Sequence, residues 1–141
     1  MLKSFLAIAA AASVALSLAF ADEAQKIVVP VNKTAANSGQ EMFVNYCAPC
    51  HGTDGKGRGP AAPALKPRPS DLTVLTKNNS GHFPDSHIVS ILSFGTEVPA
   101  HGSVTMPVWG PILGKMNPSN LQDKQLRISN LSRYLQSIQE R

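Results

Sequence analysis

Apolar side chains recur at helical spacing in three separate stretches of this 141-residue chain. The stretches contain Met42, Phe43, Tyr46 and Cys47; Ile88, Ile91 and Leu92; and Ile128, Leu131, Leu135 and Ile138. Such spacing places the side chains on one face of a helix. No stretch alternates apolar and polar residues as a half-buried strand does. The pattern therefore predicts an all-α fold.

Capping residues mark the ends of the first two predicted helices. Ser38 and Glu41 have the spacing of a capping box, which starts the first helix at Ser38. Pro84 suits the first turn of the second helix, and Gly95 suits its end. These signals support a helix on each side of a long intervening segment.

A second capping box, formed by Ser119 and Gln122, is expected to start the last helix. Between the first two helices, residues 52–81 are rich in glycine and proline, which favours loops over strands. We therefore expect three or four helices joined by long loops.

The first 21 residues have the pattern of a secretory signal peptide. Lys3 precedes an apolar run of about 16 residues, and Ala19-Phe20-Ala21 has the small-x-small form of a cleavage site. The run is shorter than the ~20 residues of a membrane-spanning helix, so cleavage is favoured over an uncleaved anchor. The sequence therefore predicts secretion, with no membrane span after cleavage.

The remaining sequence predicts an N-terminal extension over residues 22–37, to which we assign no function, and one domain over residues 38–141. Eleven prolines, ten glycines and an aromatic content of 6% in the whole chain indicate a thin core. Removal of Lys3 with the signal leaves twelve basic and nine acidic residues, with no long basic run. This mild charge gives no reason to expect a nucleic-acid partner.

The chain's only two cysteines lie in the run Cys47-Ala48-Pro49-Cys50-His51. C-x-x-C-H is the sequence at which haem is attached covalently as haem c. The two thiols add across the haem vinyl groups to form thioethers, and the adjacent imidazole of His51 binds the iron from one face. The motif occurs once, so the sequence predicts one haem c.

Two other kinds of site use cysteines at this spacing. A thioredoxin-like dithiol would need a βαβ pattern, but a predicted helix precedes the motif and a glycine-rich loop follows it. A zinc site would need two more ligands, and no second Cys or His pair has finger-like spacing. Covalent haem attachment is therefore the favoured interpretation.

Met106 is the candidate for the second axial position of the iron, with His51 in the first. It lies 55 residues after His51, in the run Thr105-Met106-Pro107-Val108-Trp109-Gly110. Pro107 would stiffen this ligand loop, and Trp109 is expected to pack beside the haem and donate its indole N–H to a propionate. A lone methionine is usually core filler, but the apolar helical setting that filler needs is absent here.

Other side chains could take the second axial position instead. The alternative methionine is Met116, because Met42 lies on the helix that carries the haem motif and cannot reach the opposite face. His82, His87 or His101 would give bis-histidine ligation. That ligation would lower the reduction potential, because a thioether favours ferrous iron more than an imidazole does.

From Ser38 to Gln139, the order of these motifs resembles that of the small class I c-type cytochromes of the bacterial periplasm. The resemblance implies a cytochrome c-like fold in which the N-terminal and C-terminal helices cross near one covalently bound haem. The residues at that crossing would be Gly39 and Phe43 on one helix, and Leu131 and Tyr134 on the other.

The resemblance also implies a partner for the haem-ligating imidazole. In that family, the carbonyl of a Gly-Pro proline accepts a hydrogen bond from the proximal histidine, and the matching residues here are Gly59 and Pro60. Pro60 would thus orient His51.

A member of this family would carry one electron on its haem and would not be an enzyme. We expect a monomer that exchanges electrons with redox protein partners through the haem edge. Loop cations could steer an acidic partner there, namely Lys56, Arg58, Lys66, Arg68 and Lys115. Two alternatives stay open, a haem c subunit of a larger oxidoreductase and an open-site haem protein that binds a small ligand.

Overall fold

A computed structural model describes residues 31–95 and 106–140 of the chain. The predicted signal peptide over residues 1–21, most of the N-terminal extension, and the alternative ligand His101 lie outside the described residues. Within these two ranges the secondary structure is entirely helical, with no strand. The all-α prediction is therefore confirmed.

The first helical segment runs without a break from residue 39 to residue 51. It consists of α1 (Gly39–Met42), a π-helical turn (Phe43–Cys47) and α2 (Ala48–His51). Ser38 caps it as predicted, because its hydroxyl accepts a hydrogen bond from the amide of Glu41. The segment delivers the whole C-x-x-C-H run at its C-terminal end.

The sequence pattern does not predict the π-helical turn before the haem motif. Its wider hydrogen-bonded ring closes where the amide of Ala48 donates to the carbonyl of Phe43. Such turns interrupt α-helices mostly at functional sites. Here Tyr46 and Cys47 both lie in the turn, and both are buried.

The long segment after the motif contains two short helical elements inside its loops. They are a 3₁₀ turn at Ala62–Ala64 and α3 at Leu75–Asn78. The loop folds back on itself at Gly57, whose φ is +74°. A Cβ atom added to Gly57 would lie 2.3 Å from the carbonyl oxygen of Pro69. Only glycine allows this close approach of two backbone segments.

The second and third principal helices differ in how well the sequence predicts them. Helix α4 (Asp85–Phe94) ends at Gly95, whose φ is +85°, as predicted, while Pro84 lies at its N-cap, one residue before the first turn in which it was predicted. Helix α5 (Trp109–Gly114) is not predicted, since its first two residues belong to the expected ligand loop, and a glycine and a proline follow its first residue. Gly110 and Pro111 are nevertheless tolerated in the first turn of a helix, where the backbone N–H groups have no intrahelical partner.

The last helix, α6 (Leu121–Ser137), begins one residue later than the predicted capping box implies. Its N-cap is Asn120, whose side-chain oxygen accepts a hydrogen bond from the amide of Gln122 at 3.0 Å. The predicted cap at Ser119 is therefore wrong, since an Asx-type cap at the next residue satisfies the same helix end.

Helices α1 and α6 cross at the contact that the family resemblance implies. A Cβ on Gly39 would lie 2.1 Å from the carbonyl oxygen of Asn130, so the two backbones touch there. The rings of Phe43 and Tyr134 pack with centroids 5.2 Å apart and planes inclined by 47°. Leu131 is buried in the same core.

Helices α4 and α5 also pack on α6 and complete the core. Its fully or nearly buried members include Met42, Phe43, Ile88, Leu92, Leu113, Met116, Ile128, Leu131 and Leu135. Among the helices of residues 31–95 and 106–140, none combines the length and the hydropathy required to cross a membrane.

Candidate haem site

A cavity of about 410 Å³ lies where the end of the first helical segment meets the start of α5. Within the described residues, three segments line it: Tyr46, Cys47, Cys50 and His51; Leu65, Pro67, Arg68, Pro69 and Ser70; and Met106, Pro107 and Trp109. Its volume falls in the range of about 300–1,000 Å³ that is usual for cofactor pockets. The lining is mostly apolar and suits a large flat hydrophobic group.

The two cysteines of the motif face this cavity as free thiols. Burial, with a smaller contribution from the nearby Cys50, raises the pKa of Cys47 to about 12. Cys47 is therefore a neutral thiol at ordinary pH before it is attached to haem. In the described part of the chain, no three His, Cys, Asp or Glu side chains form a cluster that could hold a metal ion.

The imidazole of His51 is oriented by a backbone carbonyl. Its Nδ1 lies 2.9 Å from the oxygen of Ser70, and Nδ1 is the donor because a carbonyl can only accept. Burial lowers the pKa of His51, and the bond to Ser70 opposes that effect. A neutral ring that donates through Nδ1 leaves Nε2 as the ligating atom.

The partner of His51 is thus Ser70, and the assignment of this role to Pro60 is wrong. Gly59 packs against the end of α2, where its amide donates to the carbonyl of Cys50 at 2.9 Å. Pro60 follows as an exposed residue outside the cavity lining. The loop brings Ser70 to the imidazole only later, after it has folded back at Gly57.

The C-terminal residues fasten the loop that contains Ser70. The side chain of Gln139 donates to the carbonyls of Leu72 and Leu135, each at 2.7 Å, and accepts from the amide of Thr76 at 2.9 Å. The acceptor of His51 therefore stands on a segment that α6 and its C-terminal extension hold in place.

Met106 lines the cavity together with the three residues of the C-x-x-C-H motif. It is half-buried and stands three residues before α5. The alternative Met116 is instead buried in the core, where its Sδ lies 3.6 Å from the hydroxyl of Tyr46. His82 and His87 are exposed and do not line the cavity.

Trp109 forms the wall beside Met106. It is buried, and its ring stacks on that of Tyr46 with centroids 5.4 Å apart and planes inclined by 26°. The position beside the cavity agrees with the role predicted for Trp109, while its bond to a propionate stays a prediction. Tyr46 was assigned only to the helical stripe, although its place directly before Cys47 could have signalled a cavity residue.

The sequence reasoning also missed two features of the cavity. Ser70 takes part through its backbone, which gives no signal in a sequence. Arg68 was assigned to a steering patch, yet it is the cationic residue of the lining.

The donors present fit covalent haem, with two thiols, an oriented imidazole and a thioether around one apolar cavity. A scan against protein-family models matches residues 36–139 to the family described as Cytochrome c. A search of curated proteins found no significant match. The matched residues include the whole cavity lining and the C-x-x-C-H motif. The chain therefore belongs to the cytochrome c family of electron-transfer proteins, with Cys47, Cys50 and His51 in the motif that binds haem c covalently.

Proposed function

We propose that this chain is a periplasmic carrier of single electrons whose haem iron is held by His51 and Met106. The observation that carries the proposal is the presence of Met106 in the cavity that the C-x-x-C-H residues line. When bound, haem c supplies a one-electron ferric–ferrous couple. Cys47 and Cys50 would anchor it through thioethers.

His51 and Met106 would set the properties of the iron in different ways. Ser70 holds the imidazole in one tautomer and orientation, which fixes the ligand in both oxidation states. The thioether of Met106 is a soft ligand that favours ferrous iron and raises the reduction potential. Pro107 and Trp109 line the same side of the cavity as Met106.

The charged residues support a narrower steering surface than the sequence indicates. Lys56 contacts Glu140 at 2.6 Å, and Arg58 contacts Asp54 at 3.4 Å, so a carboxylate offsets each charge. Arg68 is exposed and lines the cavity, and Lys66, also exposed, stands two residues before it in the same loop. Lys115 is exposed at the end of α5 and is outside the lining. We define Lys66 and Arg68 as the steering pair and propose that they attract an acidic redox partner.

The proposed carrier acts as a monomer that exchanges electrons with a donor and an acceptor protein. A subunit of a larger oxidoreductase would use the same site, and co-purification of a partner would distinguish it. An open-site haem protein would differ in its chemistry, because a small ligand would bind the iron without displacing a side chain.

The test is a redox titration of the holoprotein and of two methionine variants. Met106→His should lower the midpoint potential by on the order of 0.1 V or more, within the ~0.8 V over which axial ligands set haem potentials. Met116→Leu, at the alternative methionine, should leave the midpoint close to wild type. An unchanged midpoint in Met106→His, or ready binding of carbon monoxide by the wild type, would refute the proposed ligation.

A further inference from the structure

A buried hydrogen-bond network joins the N-terminal segment to one wall of the haem cavity. Its members are Asn32, Thr34, Tyr46, Asp123 and Arg127, and none of the last four is more than 8% exposed. The first two belong to the extension to which the sequence analysis assigns no function. Through the network, Asn32 and Thr34 contact a residue that lines the haem cavity.

The hydroxyl of Tyr46 is the centre of this network. The backbone oxygen of Asn32 can only accept, so Tyr46 donates its one proton there. The hydroxyl of Thr34, 2.8 Å from the Tyr46 oxygen, is consequently the donor of the second bond. Tyr46 is thus held from two sides by the N-terminal segment.

Arg127 fastens Thr34 to helix α6. Its guanidinium donates to the backbone oxygen of Thr34 at 2.9 Å and to the Thr34 hydroxyl at 3.3 Å. Asp123, one turn earlier on the same helix, pairs with this guanidinium. The N-terminal segment is therefore fixed to the helix and cannot shift without breaking buried charged bonds.

The ring of Tyr46 connects the N-terminal segment to the side of the cavity that Met106 lines. It stacks on Trp109, and both rings line the cavity. Trp109 is the first residue of α5 and stands three residues after Met106. The place of the Tyr46 ring therefore limits where Trp109, and with it the backbone of Met106, can lie.

We propose that Asn32, Thr34 and Tyr46, here called the N-terminal clamp, strengthen the bond between Met106 and the haem iron. Tyr46 is a positioning residue that acts through Trp109. A ligand segment that is already fixed loses less conformational entropy when it binds. The inference rests on the proposed ligation by Met106 and explains how the extension would support it.

Imidazole is a suitable probe, because it competes with a side chain for ferric haem iron. Tyr46→Phe retains the aromatic stack and removes the clamped hydroxyl. The affinity of the ferric holoprotein for imidazole should then rise by at least about threefold to tenfold, because the variant breaks both bonds of the hydroxyl and loss of even one buried hydrogen bond has an effect of that size. Tyr134→Phe is the matched control, since Tyr134 packs on Phe43 and does not line the cavity.

Thr34 provides a second, independent pair of variants. Thr34→Val removes the hydroxyl at nearly constant volume and should raise the imidazole affinity in the same direction. Thr34→Ser keeps the hydroxyl and should restore the wild-type affinity. A purely structural role would lower the unfolding midpoint in Thr34→Val and Tyr46→Phe without any change in imidazole affinity, and that result would overturn the proposal.

Met106→Ala separates failure of the clamp from failure of the proposed function. If Met106→Ala raises the imidazole affinity while Tyr46→Phe behaves like Tyr134→Phe, the clamp is wrong and the ligation stands. If Met106→Ala leaves the affinity unchanged, Met106 is not the ligand and both proposals fail.

Discussion

Two acid–arginine pairs, each four residues apart, show how burial decides the importance of a single contact. The side chains of Arg127 and Asp123 are 7% and 10% exposed, whereas those of Arg58 and Asp54 are 72% and 49% exposed. Water screens the second pair but hardly reaches the first. Two ion pairs with the same spacing in sequence are therefore expected to differ widely in their contribution to stability.

Asp123→Asn should destabilise the holoprotein by about 3–5 kcal/mol, because it leaves the buried charge of Arg127 without its partner. Asp54→Asn, at the exposed pair, is the control and should change the stability little. The free energy of unfolding from denaturant titration measures both. Equal small effects in the two variants would mean that the buried pair is dispensable.

Side-chain chemistry made most single site residues predictable. Cys47, Cys50 and His51 follow from their spacing, and Met106 follows from the need for a second ligand. The acceptor of His51 was not predictable, because the carbonyl of Ser70 is present in every residue type and reaches the ring only through the course of a long loop. The resemblance placed it at Pro60 and was wrong.

At the scale of elements, apolar periodicity predicted the helices that bury a wide face. Helices α4 and α6 and the start of α1 agree with the pattern. Helix α5 was missed because its six residues include two glycines and a proline, which local preference assigns to loops. Packing of α5 against α4 overrides that preference. The two backbones are so close that a Cβ atom on Gly110 would lie 2.2 Å from the carbonyl oxygen of Ser93.

The crossing of α1 and α6 predicts the effect of one added methyl group. Gly39→Ala should destabilise the protein by about 1–3 kcal/mol or more, because its Cβ would overlap the backbone of Asn130. Gln40→Ala, at the exposed neighbouring position, is the control and should be tolerated. Thermal unfolding of the two holoproteins measures the difference. An unchanged midpoint in Gly39→Ala would contradict the close crossing.

At the scale of the whole molecule, the haem cavity is part of the core. It has a volume of about 410 Å³ and is walled by Trp109, Tyr46 and apolar loop residues. In a domain this small, a group that fills the cavity would add substantially to the apolar surface buried in the core. Stability and cofactor binding are therefore expected to be coupled.

The haem-free chain should lack a cooperative thermal transition. Replacement of Cys47 and Cys50 by serine prevents covalent attachment and supplies that chain. Scanning calorimetry against the wild-type holoprotein is the measurement, with circular dichroism to report residual helix. A sharp, native-like transition in the haem-free variant would show that the core does not depend on the cofactor.

The steering pair predicts a salt-dependent reaction with anionic oxidants. Oxidation of the ferrous holoprotein by ferricyanide should slow as ionic strength rises, because salt screens the attraction. The double variant Lys66→Gln, Arg68→Gln should show a weaker dependence, whereas Lys77→Gln on α3 should resemble the wild type. A wild-type rate that does not respond to salt would dismiss the steering pair.

The central claim is a closed iron site with His51 and Met106 as ligands, and the ferric optical spectrum tests it most directly. A thioether on ferric haem produces a weak far-red charge-transfer band. The band should be present in the wild-type holoprotein, absent in Met106→Ala and retained in Met116→Leu. A wild-type spectrum without the band, or a band that survives in Met106→Ala, would contradict the account.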